Sequence, residues 1–309
     1  METLEYVLFR ILRWCARHLS FRGTGRVGAV LGYLAFSVFG YRKQTTLDNL
    51  TKAFPDASRQ EILRIARGAY RNYGIALVEM MWSASAPEEQ LRKILRPVNM
   101  EIATGAFQRN KGLVLQSGHY GSWELIVTSL RLHLGLPTVV IVQHQRNGRI
   151  DRLIDADRRR FDTTTVPMGP SVREVLKTLL DRKMVAMLGD QSGPREALFV
   201  EFFGRPAATH RGPAVFSLKT NAPIVMFFFV RQRDHTYEVL FEEVDRSGLT
   251  EYSEENVQEL TRRHTAVLEK YIRMHPDHWL WMHRRWKHTE FYQAQHQSGT
   301  SVQPVTYGT

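Results

Sequence analysis

Cysteine is almost missing from this chain of 309 residues: Cys15 stands alone, which excludes an internal disulfide and fits a reducing compartment. No run reaches the roughly 20 apolar residues that cross a bilayer comfortably. The nearest candidates are residues 1–19, broken by Arg10, Arg13 and Arg17, and residues 27–40, which are too few for a confident span. A clean apolar stretch followed by a small-residue cleavage site is also lacking, so no signal peptide is expected. Neither a P-loop nor a dinucleotide fingerprint occurs, and no two histidines stand at helix-facing metal spacing with a matching acid. A bound cofactor and a catalytic metal are therefore not expected. Helix-turn-helix and RNA-binding strand signatures are absent, which argues against nucleic acid as a partner. Internal repeats and low-complexity blocks are missing too.

Acidic residues are in deficit, 31 Asp and Glu against 42 Lys and Arg, for a formal charge of +11. That balance points to an anionic partner such as a phospholipid surface, a phosphorylated glycolipid or an acidic carrier protein. Apolar residues make up 43% of the chain, enough for the core of one main globular body. At the N-terminus Leu4, Val7, Leu8, Ile11, Leu12 and Cys15 recur at helical spacing, with the arginines mostly off that stripe. Such a helix suits the head-group region of an anionic leaflet, and equally a face packed on the body. Residues 1–40 are read as a membrane-associated helical segment, 41–292 as the catalytic body and 293–309 as a polar, disordered tail.

After a polar connection through Ala53-Phe54-Pro55, the pattern Ser58-Arg59-Gln60-Glu61 has the form of a capping box and opens a long helix through Met80. A shorter amphipathic piece runs from Pro87 to Ile94. Beyond Gly112 the pattern alternates: strands at Gly112–Leu115, Thr138–Val142 and Met184–Leu188, helices at Leu125–Leu134, Arg149–Phe161 and Ser171–Leu180. Alternation implies crossovers between parallel neighbours. Pro223–Val230 and Tyr237–Phe241 lie too close together for an intervening helix and should pair antiparallel, and Ser253–Met274 reads as a final helix. The expected fold is α/β, a mixed and mostly parallel sheet with helices on both faces and ligands at the carboxyl ends of strands.

Chemistry collects at two of those strand ends. The first carries Ser117-Gly118-His119-Tyr120-Gly121-Ser122-Trp123-Glu124. An imidazole and a carboxylate on a glycine-rich turn at a helix start suit proton abstraction from a hydroxyl, because the ordinary histidine pKa lies near neutrality. The same spacing also suits a helix-capping His beside an ordinary first-turn Glu. Ser122, inside that turn, is carried as a substrate contact. The second end is Gly189-Asp190-Gln191, followed by Phe203-Gly204-Arg205-Pro206. Asp190 either orients a partner, binds a polar head group or bonds its own loop; Arg205 stands at a corner where it would meet an anion. Between the two lie Arg146, Arg149, Arg152 and Arg158 to Arg160, a solvated face or a forked grip on phosphate.

Together with Trp279-Leu280-Trp281-Met282-His283-Arg284-Arg285-Trp286-Lys287, these segments resemble the bacterial lipid A biosynthesis late acyltransferases, lauroyl and myristoyl transferases whose wider group includes the phosphatidylinositol mannoside acyltransferases. The resemblance covers the chain from about Tyr41 to Lys287. It implies a lysophospholipid-acyltransferase-like fold on the cytoplasmic face of the inner membrane. It also implies transfer of a fatty acyl chain from a thioester, acyl carrier protein or coenzyme A, to a hydroxyl of a lipid A-type phosphorylated glycolipid. The thioester is a co-substrate, so no cofactor is implied. The family's His-x4-Asp/Glu pair falls on His119 and Glu124, its arginine on Arg158 and its Asp-Gln strand end on Asp190 and Gln191. One departure stands out: where relatives often read Tyr-Arg-Pro, this chain has Val142-Gln143-His144, with Arg146 as the arginine on offer. Two proton routes stay open, His119 as base with Glu124 setting its tautomer, or Glu124 as base partnered by Arg158. Other acceptors also stay open (a phosphatidylinositol mannoside, a lysolipid, an ornithine-type lipid), as does a basic membrane- or nucleic-acid-binding protein without catalysis.

Overall fold

The computed structural model describes residues 2–135, 137–169 and 172–297. Four helices open the chain: α1 (Glu2–Arg17), α2 (Phe21–Tyr33), α3 (Lys43–Ala53) and α4 (Arg59–Ser83), with α2 widening into π-helical backbone over Leu34–Val38. Ser58 caps α4 as its pattern predicts, its hydroxyl accepting the Glu61 N–H at 3.2 Å. Where α2 crosses α4, a methyl group at Gly28 or Gly32 would come within 2.3 Å or 2.2 Å of the α4 backbone, so bare backbone lets the two helices touch. Residues 41–55 depart from expectation, forming α3 rather than an irregular connection. Its buried face holds Thr46 and Asn49 beside Leu50 and Ala53, so apolar periodicity is too weak to reveal it, and Asn49 is satisfied by the Trp281 and His283 carbonyls at 2.8 and 2.7 Å.

The remaining elements are α5 (Glu88–Ile94), β1 (Leu95–Pro97), α6 (Glu101–Gln108), β2 (Leu113–Ser117), α7 (Ile126–Leu134), β3 (Thr138–Val142), α8 (Gly148–Arg159), β4 (Thr163–Pro167), α9 (Val172–Leu180), β5 (Met184–Leu188), β6 (Leu198–Phe202), β7 (Arg205–Thr209), α10 (Gly212–Thr220), β8 (Ile224–Arg231), β9 (Tyr237–Glu243), α11 (Glu254–Met274) and α12 (Thr289–Gln297). The Ser171 cap expected for α9 lies outside the described residues. The tail expected from residue 293 starts within α12, and residues 298–309 lie outside the described part.

Among the described residues seven strands form one sheet, ordered β1-β9-β8-β2-β5-β3-β4, parallel at every step except the β8–β9 hairpin. The α/β class and the mixed, mostly parallel sheet are thus as expected. Because side chains alternate along a strand, β2, β5 and β8 feed two cores. Val114, Val185 and Phe228 pack with Ile62 of α4 and Leu260 of α11 on one face, while Leu115, Ala186 and Phe227 pack with Leu91 of α5 and Leu130 of α7 on the other.

No helix among the described residues is long and apolar enough to cross a membrane. The orientation of α1 is unusual for a helix resting on a globular body. Leu4, Val7, Leu8, Ile11 and Trp14 are 45–64% exposed, whereas Arg13 turns inward to an ion pair with Asp157 of α8. The Leu4, Val7, Leu8 and Ile11 side of its apolar stripe faces away from the protein, while Phe9 and Leu12 pack against the core.

Candidate active site

Strand β2 ends at Ser117, and the chain then folds through a turn that only glycine permits at two points. A Cβ at Gly118 would lie 2.9 Å from Asp190 Oδ2, and Gly121, at φ +57°, would press a Cβ to within 2.1 Å of the Phe229 carbonyl oxygen. The turn is locked from behind by the segment after α11, whose Leu280 N–H donates to the His119 carbonyl while the Gly121 N–H donates to that of His278. Tight packing of backbone on backbone fixes where the His119 ring starts.

Asp190, at the end of the neighbouring strand β5, fixes where it points. His119 Nδ1 lies 2.8 Å from Asp190 Oδ1, and Oδ2 accepts the His119 N–H and the Trp279 indole N–H, each at 2.8 Å. Asp190 is 2% exposed, and burial by itself would raise its pKa. The His119 charge and these hydrogen bonds overcome that and hold it down to about 2. For His119 burial favours the neutral ring, but the Asp190 carboxylate, helped by Glu124, lifts its pKa above the ordinary value. With Nδ1–H donated to Asp190, the Nε2 lone pair faces the cleft, 3.4 Å from the Gln191 amide nitrogen.

Glu124, in the 3₁₀ turn Trp123–Leu125 that leads into α7, has a different partner. Arg158 of α8 grips it through Nη2 at 2.9 Å to both oxygens and Nε at 3.3 Å, while Arg158 Nη1 takes no part in the pair. The tautomer of His119 is therefore set by Asp190 and not by Glu124, which acts on the ring only through its field. His119, Glu124 and Arg158 line one cleft of about 270 Å³, with Asp190 behind His119; its other walls mix apolar side chains such as Ile126, Val127, Val140 and Phe227 with Gln143, Gln145, Gln191 and His210. It opens at the carboxyl ends of β2, β3 and β5. Among the described residues no group of three or more His, Cys, Asp or Glu is placed to hold a metal ion.

A histidine braced by a buried carboxylate at a cleft, beside a paired glutamate and arginine, is chemistry fit for acyl transfer to an alcohol, and the sequence comparisons point to that class of enzyme. The model for bacterial lipid A biosynthesis acyltransferases matches residues 2–288. The chain belongs to that family. It is 24% identical to the lipid A biosynthesis lauroyltransferase of Escherichia coli K12 over 277 residues, 89% of this chain and 88% of the relative. Similarity to the palmitoleoyltransferase of the same strain is 24% over 263 residues, 84% of each chain. The lipid A biosynthesis acyltransferase of Haemophilus influenzae Rd is 25% identical over 246 residues, 77% of this chain and 75% of that one. The protein is accordingly an O-acyltransferase of the lipid A biosynthesis type.

Within this acyltransferase the structure unites His119, Glu124, Arg158, Asp190 and Gln191, and separates the others. Ser122 is 1% exposed and turned away from the cleft: its hydroxyl lies 2.5 Å from Glu79 Oε2 and 3.0 Å from the Tyr237 hydroxyl. Glu79, wholly buried on α4, is neutralised by Arg231 at 2.8 Å, so this group braces the turn from the side away from the cleft. Arg205 also lies outside the cleft wall. Phe203 and Gly204, both at positive φ, form a two-residue turn joining β6 to β7, so the Gly-Arg-Pro corner is spent on a hairpin. Arg146 and Arg149 are exposed at the start of α8, the latter over the Tyr6 ring at 5.7 Å. Trp279 was missed as an Asp190 partner. Its motif reads as packing or membrane anchoring, and burial of Trp279, Trp281 and Trp286 decides for packing.

Proposed function

We propose that this acyltransferase moves a fatty acyl chain from a thioester, carried by acyl carrier protein or coenzyme A, to a hydroxyl of a phosphorylated lipid A-type glycolipid, with His119 as general base. Its place of work is the cytoplasmic face of the inner membrane, where the outward apolar stripe of α1 would lie among acyl chains and Arg146, Arg149 and Arg152 would meet anionic head groups or an acidic carrier. The observation that carries the reading is the His119 ring, held through Nδ1 by a buried carboxylate, with Nε2 facing the cleft beside the Gln191 amide.

The steps follow from that placement. Nε2 accepts the proton of the acceptor hydroxyl as its oxygen attacks the thioester carbonyl; the C–S bond then breaks, the new ester C–O bond remains, and Nε2 returns the proton to the departing thiolate. The imidazolium formed midway is favoured by Asp190 in contact and Glu124 nearby. Arg158 Nη1 and the Gln191 amide supply donors for the developing oxyanion. Glu124 is the weaker candidate for base because a guanidinium occupies both of its oxygens. Tolerance to both carrier types and the choice of acceptor are read from products. Purified protein in mixed micelles, given labelled acyl carrier protein or coenzyme A thioesters and a panel of glycolipid, lysolipid and ornithine-lipid acceptors, should acylate the phosphorylated glycolipid. His119→Ala should lower that rate by about 10²- to 10⁴-fold; near-normal turnover by a folded variant would sink the proton route.

A further inference from the structure

Two adjacent arginines near the end of the chain have opposite fates: Arg284 is exposed, whereas Arg285 is 1% exposed. Arg285 spends its donors on neutral partners. Its Nη1 donates to the Ala208 carbonyl and its Nη2 to the Thr209 hydroxyl at 2.6 Å, the guanidinium lies over the Phe202 ring at 5.1 Å, and Nε has no partner. Among the described residues no carboxylate is in ion-pair contact with it, and the acidic group whose field offsets its burial is Asp190. A cation buried in this way is costly unless an opposite charge stands near. Strand β7, which Arg285 grips, is tied to the loop after β5 that carries Asp190. The Gly193 N–H donates to the same Ala208 carbonyl at 3.0 Å, and the Ser192 N–H donates to His283 Nε2 at 3.0 Å. Short backbone links thus fix the guanidinium relative to Asp190.

We propose that Arg285 is the standing counter-charge of Asp190, a positioning residue that keeps the carboxylate ionised while His119 is neutral and so holds the base in its working state. The inference rests on the reading of His119 as base. In that state Asp190 is a buried carboxylate held by hydrogen bonds from the His119 N–H, the His119 ring and the Trp279 indole, with no imidazolium beside it. The other titratable groups around it do not supply the missing charge. Arg158 is paired with Glu124, and Asp277, behind the turn, with His278. Burial holds His210 below its ordinary pKa, pushes His283 down to about 4 and, beyond Arg285 on α11, pushes His264 down to about 3, so these rings are neutral; Lys287 is exposed. Arg285, pushed down only to about 10, stays charged. When the His119 ring gives up its proton, the His119–Asp190 pair passes from net neutral to singly negative, and a fixed cation favours the second state. The carboxylate lifts the pKa of the ring, and the guanidinium limits how far. Arg285 is not part of the cleft wall, so it acts through Asp190 and touches no substrate.

Three variants of the full-length protein test this. Arg285→Gln keeps an amide donor for the Ala208 carbonyl, Arg285→Met keeps the packing on Phe202, and Arg285→Lys keeps the charge. One readout is the pH profile of kcat/KM with labelled acyl thioesters of coenzyme A or acyl carrier protein and the phosphorylated glycolipid. The other is the titration of the His119 ring, followed by NMR on protein labelled with carbon-13 at histidine Cε1 and assigned with His119→Gln. Both neutral variants should move the rising limb and the ring titration to higher pH, by on the order of one unit for a charge lost from the interior, with the KM of both substrates unchanged. Arg285→Lys should restore most of that shift. Asp190→Asn is expected to move the limb the opposite way, so the sign separates a lost counter-charge from general damage. A ring titration that stays put in the folded neutral variants, or that moves as far in Arg285→Lys, overturns the proposal. So does failure of both neutral variants to fold, read from urea unfolding, because the guanidinium would then serve the fold. A ring titration that moves while the kinetic limb does not would remove His119 as the base and leave the Arg285 effect.

Discussion

The imidazole of His119 and the carboxylate of Asp190 stabilise each other's charge, so each makes the other a pH sensor. The base proposed at His119 must be neutral to act, so its raised pKa predicts that turnover climbs with pH through a midpoint above the ordinary 6.5. Asp190→Asn removes the charge that lifts it. The rising limb of the kcat/KM profile should then move to lower pH while maximal turnover falls, because the ring loses its orienting partner; an unmoved limb would separate the titration from His119. Ser122 and Glu79 make the opposite kind of prediction. Ser122→Ala should leave the KM of both substrates unchanged. Glu79→Ala strands Arg231 in the interior and should destabilise the fold by about 3–5 kcal/mol in urea unfolding, the usual cost of removing one partner of a buried pair.

At the scale of elements, α1 is where periodicity and packing part company. The stripe of Leu4, Leu8 and Ile11 announces an amphipathic helix in either solvent or lipid; only its neighbours decide which side faces the body. Here the polar Arg13 is drawn inward by Asp157, and the leucines are left outside. Deleting residues 2–19, or replacing Leu4, Leu8 and Ile11 with serine, should reduce co-sedimentation with anionic vesicles, and added salt should weaken what remains by screening the arginines. Binding that is unaffected by either change would place the attachment at the exposed Val38, Phe39 and Tyr41 instead. Strands with strong apolar runs were legible to the residue, β3 and β5 among them. The short β1, the threonine-rich β4 and the β6–β7 hairpin were not, because edge position, polar composition and a turn built on Phe203 at positive φ leave little pattern to read.

For the whole molecule, the coupled pair also sets a window of stability. Asp190, held at about 2 against an ordinary 3.8, contributes stability that is present above 3.8 and lost as pH falls toward 2; His119, raised above 6.5, contributes stability that is complete below 6.5 and lost as pH climbs through its folded value. The His119–Asp190 contribution should therefore be largest between about pH 4 and 6.5. Urea midpoints of the wild type minus those of Asp190→Asn across pH 3–9 should show that hump, and a flat difference would exclude it. By itself the sequence determined the class of fold and the list of reactive groups, since period-two and period-3.6 patterns and glycine-rich strand ends are local properties. Which groups meet was settled only by the parallel pairing of β2 with β5 and by α8, packed beside β4 and α1, reaching across to Glu124 through Arg158. Those contacts handed His119 to Asp190 and Glu124 to Arg158, and sent Ser122 into the interior, because partners distant in the chain compete for each side chain and burial selects among them.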